Sequence, residues 1–195
     1  MYQKTILDNG LRVLSTTMPH TRSVSIRIYV GVGSRYETDE QAGISHFVEH
    51  LLFRGTGRRA NAKEIAQAIE GVGGILNADT DVEATGYWCK VPQEHFTDAL
   101  DVLSDILLHS RLDPPDIEKE RQVIIEEINM SHDDPSQRVS LLISELLWPG
   151  QPLGRDIAGS KRSVKATTRE KMVAFMADHY CPANTVVSIA GNIRH

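Results

Sequence analysis

Ser23-Val24-Ser25-Ile26-Arg27-Ile28-Tyr29-Val30-Gly31-Val32 alternates apolar and other residues with a period of two, and the stretch from about Glu40 to Phe53 then changes to a helical pattern. The alternation predicts a strand with one buried and one open face. A helix following directly supplies the layer that covers the buried face. Working outward, Thr5 to Leu14 forms two short apolar runs around Asn9-Gly10, a pair that favours the positive torsions of a tight hairpin turn. Asn61 followed by Glu64 predicts a capped helix from Asn61 to Glu70, stopped at Gly71-Val72-Gly73-Gly74.

Ile75 to Ala78 and Val82 to Val91 read as two strands joined at Asp79-Thr80-Asp81. Four helical segments follow, Gln93 to His109, Asp116 to Met130, Pro135 to Trp148 and Arg169 to His179, before a last strand from Thr185 to Ala190. Strands and helices are grouped more than alternated. The pattern predicts an α+β fold of two layers, a mostly antiparallel sheet packed with helices.

The chain has 195 residues, 41% hydrophobic and 24% charged, enough to bury a core of its own as a single unit. Lys and Arg number 21 against 26 Asp and Glu, a formal charge of -5 with no long basic run, which argues against nucleic acid or an anionic membrane surface as partner. Two cysteines, Cys89 and Cys181, do not make a disulfide framework or a thiolate metal site. Met1 to Ile6 leads straight into a strand pattern with no leader-like run, and no apolar stretch is long enough to span a membrane. These features lead to the expectation of a reducing, cytoplasmic setting.

His46-Phe47-Val48-Glu49-His50 carries the chemistry. At 100° per residue, His46, Glu49 and His50 fall within about 100° of one another on a helix, so all three can face one site. Two imidazoles four residues apart can chelate zinc, and a carboxylate one turn from the first can reach a water at the metal. With 8 His in the chain, roughly 0.02 matches to this order are expected by chance.

A third ligand should come from another element, and the segment Asp116 to Met130 is the best source. Taking Ile124 as zero, Ile117, Ile124 and Ile128 form an apolar stripe within about 40°, with Glu120 and Glu127 bordering it at about -40° and -60°. Glu118 and Glu126 point to solvent. An acid at such a border needs a metal, a hydrogen bond or a cation, and the angular reading leaves Glu120 and Glu127 both open as ligand, with a salt bridge to Arg121 or Lys119 as the bland alternative. The remaining histidines lack partners at ligand spacing and read as surface or structural.

The order His-x-x-Glu-His reverses that of the common zincins and is the inverzincin motif. The chain resembles the insulinase/pitrilysin family of zinc peptidases, close to the bacterial relatives of mitochondrial processing peptidase. The resemblance is carried by His46 to Thr56, Gly73-Gly74-Ile75-Leu76-Asn77-Ala78, Glu120-Arg121-Gln122-Val123-Ile124-Ile125-Glu126-Glu127 and Leu153-Gly154-Arg155. It implies a zinc metalloendopeptidase in which His46, His50 and Glu127 hold Zn2+, Glu49 is the general base and Glu120 supports the catalytic set from behind the metal. It also implies that the strand with Asn77 and Ala78 binds an extended peptide substrate by sheet addition. Family members pair two such units, so residues 1–195 are expected to be one zinc-bearing unit, an N-terminal fragment completed by a second unit of the same chain or by a partner subunit, with a homodimer as a further possibility. Two rival readings are a non-catalytic partner subunit of such a peptidase and a zinc-dependent ribosyl-homocysteine lyase.

Overall fold

A computed structural model describes residues 2–195 of the chain; Met1 lies outside them. Six strands, β1 (Gln3–Ile6), β2 (Arg12–Thr17), β3 (Ser23–Val30), β4 (Ile75–Thr80), β5 (Thr85–Pro92) and β6 (Thr185–Gly191), form one sheet in the order β1-β2-β6-β3-β5-β4. Every neighbouring pair is antiparallel except β2 with β6. The helices are α1 (Ile44–Leu52), α2 (Ala62–Glu70), α3 (Phe96–His109), α4 (Pro114–Asp133), α5 (Pro135–Leu147), α6 (Lys161–Ala166) and α7 (Arg169–His179). The architecture is the expected α+β arrangement, with a mixed sheet because of the single parallel pair.

The alternation of β3 works as its spacing predicts. Val24, Ile26, Ile28 and Val30 are buried under the helices, while Ser25 and Tyr29 are exposed on the other face. They pack with Tyr87, Cys89 and Val91 of β5, with Phe47, Val48, Leu51 and Leu52 of α1, and with Ala99, Val102, Leu103 and Ile106 of α3. Each such aliphatic side chain contributes about 1.5–3 kcal/mol on burial, so this layer is the main source of stability. Gly10 takes a φ of 87° at the hairpin tip, as its pairing with Asn9 requires.

Three local expectations shift. The β4–β5 turn lies beyond Thr80, not at Asp79-Thr80-Asp81, because β4 stays paired as far as Thr80 opposite Thr85. The helix expected from Glu40 begins only at Ile44, the preceding residues forming a one-turn 3-10 segment at Asp39–Gln41. Helix α6 was not expected, since six residues are too few to display a stripe; Ser160 caps it through the Ser163 amide.

Helix α5 differs from the rest. None of its residues is buried, and Val139, Leu142, Ile143 and Leu146 are exposed. Its apolar stripe therefore points outward.

The loop after α1 is fixed by one buried acid. Asp105 of α3 has no solvent exposure and accepts hydrogen bonds from Thr56 Oγ1 (2.6 Å), Arg58 Nε (3.1 Å) and Arg59 Nη1 (2.5 Å). Burial alone would raise its pKa, but the bonds from Thr56, Arg59 and Arg58 outweigh burial and lower it from 3.8 to about 2. A carboxyl depressed in the folded state stabilises it fully above its unfolded value and loses that contribution as pH falls through the folded one. Asp105→Asn should therefore cost ~2 kcal/mol at neutral pH and flatten the stability profile between about pH 4 and 2, as read by denaturant melts across that range.

Candidate metal centre

Helix α1 packs against α4, and their facing sides bring together the residues singled out by spacing. His46 Nε2 and His50 Nε2 lie 3.2 Å apart. Glu127 Oε2 lies 3.8 Å from the first and 3.5 Å from the second. Three donors on a tetrahedral ion with bonds of ~2.0–2.1 Å stand about 3.3–3.5 Å from one another, so this triangle has the size that a zinc ion needs. The residues fit the metal by chemistry as well, being two imidazoles and a carboxylate. Of the two acids that the angular reading left open, Glu127 completes the triangle.

Glu120 takes a different place. It is fully buried two helix turns before Glu127, and its Oε2 accepts from His50 Nδ1 (3.2 Å) and forms an ion pair with Arg54 Nη2 (2.8 Å). A carboxylate on Nδ1–H selects the tautomer with its lone pair on Nε2, the atom that faces the other donors. The cation that compensates Glu120 is Arg54, not Arg121 or Lys119. Arg121 instead pairs with Glu118 and donates to the carbonyl oxygens of Val164 and Thr167.

The His46 pKa is lowered to about 4, first by burial and then by the nearby His50, so the ring is neutral and able to act as a ligand at pH 7. Glu49 lies on the side of α1 towards β4, where its Oε2 accepts from Thr80 Oγ1 at 2.9 Å. Burial raises its pKa; the Thr80 bond and His50 oppose that, while Asp79 and Glu127 add to it. A carboxylate shifted upward is a better proton acceptor than an ordinary one.

Asn77 and Ala78 lie on β4, the edge of the sheet next to α1, with Asn77 exposed and Ala78 half-buried. The Ala78 N–H donates to the Asn77 side-chain oxygen at 2.8 Å. Arg54 and Thr80 were not picked out by sequence reasoning. Arg54 lies in the matched run from His46 to Thr56, but nothing in its spacing links it to α4; Thr80 was placed in a turn.

The donor set has the residue types and the order of the inverzincin motif. Residues 12–161 match the family described as Insulinase (Peptidase family M16), and the chain belongs to it. It is 40% identical over 193 residues to a Bacillus subtilis (strain 168) protein named uncharacterized zinc protease YmxG, covering 99% of this chain and 47% of that protein. A protease from Helicobacter pylori superposes with a TM-score of 0.94 at 24% identity, over 100% of this chain and 47% of that one. A Pseudomonas fluorescens chain described as a peptidase M16 inactive domain gives 0.90 at 18%, with the same coverage. These two structural likenesses show the fold. The chain spans about half the length of the curated relatives it matches. No helix among the described residues is long and apolar enough to cross a membrane.

Replacing Glu120 by Gln should weaken zinc affinity by about 10–100-fold while leaving His46 and Glu127 in place. Competition with a chromophoric chelator measures it, and an unchanged affinity would remove Glu120 from the site.

Proposed function

We propose that this chain is the metal-bearing unit of a zinc endopeptidase that cleaves extended peptides. The observation that carries the reading is the triangle of His46, His50 and Glu127 donors, of tetrahedral size, with Glu49 beside it. Zinc held there would supply a Lewis acid to polarise the scissile carbonyl and activate water at neutral pH.

The chain's own residues do the rest. His46, His50 and Glu127 would hold the ion. Glu49 takes the proton of the attacking water and hands it to the departing amine, with Thr80 fixing one carboxylate oxygen. Glu120 keeps His50 in its ligating tautomer. The free edge of β4 offers backbone groups to an extended peptide, and Asn77, whose side chain occupies the Ala78 N–H, must turn aside as the peptide pairs.

The chain spans about half the length of the curated relatives it matches, which supports reading residues 1–195 as one unit of a larger protein. A further unit of the chain or a partner subunit, a second copy included, completes the substrate site. The fold's occurrence in a domain described as inactive supports a second reading, a non-catalytic subunit. The intact donor triangle and Glu49 favour the peptidase, and membership of a peptidase family stands against the lyase.

Glu49→Gln in the full-length protein should keep its zinc while peptide hydrolysis falls by ~10²-fold or more. Elemental analysis beside cleavage of a quenched peptide tests both halves; loss of metal, or turnover left intact, would overturn the role of Glu49. In matched assays the 195-residue chain should turn over far more slowly per zinc than the full-length protein. Equal rates would make this unit a complete enzyme.

A further inference from the structure

The two histidines are held in different ways. His50 has Glu120 on its Nδ1, whereas the buried Nδ1 of His46 has no hydrogen-bond partner among the described residues. No side-chain bond orients His46 from behind, so its position depends on the backbone of the first turn of α1, where it is the third residue.

That turn has an unusual cap. A helix start leaves its first N–H groups without intrahelical acceptors, and a Ser, Thr, Asp or Asn at the N-cap normally supplies one. The N-cap of α1 is Gly43, at φ 89°, and a Cβ there would lie 2.4 Å from the Ala158 carbonyl oxygen. The loop from Asp156 to Ser160 thus comes so close that no capping side chain fits at position 43. The acceptor comes from outside the helix. Glu37 Oε2 accepts the Gly43 N–H and Glu37 Oε1 the Ser45 N–H, both at 2.8 Å. Its negative charge also sits at the positive end of the α1 dipole.

Glu37 is itself anchored. It is buried, and its backbone oxygen accepts from Arg155 Nη2 at 2.5 Å, while Arg155 Nη1 holds Asp39 at 2.9 Å. The chain of contacts runs from Arg155 through Glu37 to the Ser45 amide, and the next residue is His46.

We infer that Glu37 is a positioning residue for the metal centre: its carboxylate sets the first turn of α1 and through it the placing of the His46 donor. The inference rests on the reading of His46, His50 and Glu127 as metal ligands. Glu37→Gln keeps size and burial but turns one acceptor into an NH2 group facing a backbone N–H. Sulfur-free ligation by His and Glu can be followed with cobalt in place of zinc, because the visible bands of the ion report its geometry.

The experiment titrates the full-length protein with Zn2+ against a chelator and records the Co2+ spectrum, for wild type, Glu37→Gln, His46→Ala and Asn61→Ala. Asn61→Ala is the matched control, since it removes the cap of α2 through the Glu64 amide and touches no donor. Glu37→Gln should lower zinc affinity about tenfold or more and alter the cobalt bands, with Asn61→Ala like wild type in both. Wild-type affinity and bands in Glu37→Gln would overturn the inference, as would an equal loss in Asn61→Ala. If His46→Ala binds zinc as wild type does, it is the ligand assignment that fails. Should Glu37→Gln not fold, Arg155→Gln frees the backbone that carries the carboxylate, and the same titration decides: weaker zinc binding supports the positioning role and unchanged binding refutes it.

Discussion

A carboxylate with no access to water, Glu120, joins α1 to α4 by bonds to His50 and Arg54. A buried charge without partners is costly, and Glu120 is tolerable only where both of these groups reach it. Pairing its Oε2 fixes the rotation and height of α4 against α1, and Glu127, seven residues further along, then meets the two histidines. The metal-binding geometry is thus a consequence of how one buried acid is neutralised. The partner groups lie on α1 and just beyond its end, so the short helix is held at one end by Arg54 and at the other by the contacts around Gly43.

Periodicity made much of this legible. The 3.6-residue pattern placed Glu120 and Glu127 at the border of the α4 stripe, and the structure finds Glu120 fully buried and Glu127 partly exposed, with Glu118 and Glu126 outside. The same pattern could not name the counter-ion. Arg121 and Lys119 flank Glu120 in sequence, but neighbours on a helix point about 100° apart, and the cation that reaches Glu120 comes from a loop 66 positions away. Glu37 was invisible for a related reason: it lies in an aperiodic stretch, and its burial follows from tertiary contacts with Arg155 and α1.

Helix α5 shows the complementary limit. Val139, Leu142, Ile143 and Leu146 share a face with helical spacing, which is the mark of a helix that packs on a core. Here that face is the outer one, while Arg138, Leu141 and Ser144 turn towards the body. Amphipathic spacing fixes the secondary structure and the width of the stripe. It does not say which side of the helix the rest of the fold occupies.

The strand order carries a consequence for how the molecule is made. The N-terminal hairpin of β1 and β2 touches the rest of the sheet only through β6, and β6 alone separates it from β3. On a ribosome adding about 5–20 residues each second, the hairpin waits roughly 10–35 s for the strand that will seat it. During that interval β3 shows an unpaired edge to solvent, an invitation to pair with the wrong chain. The hairpin leaves the ribosome before the other strands of this sheet and is the last to be seated in it, and it is during this wait that a chaperone would have most to protect.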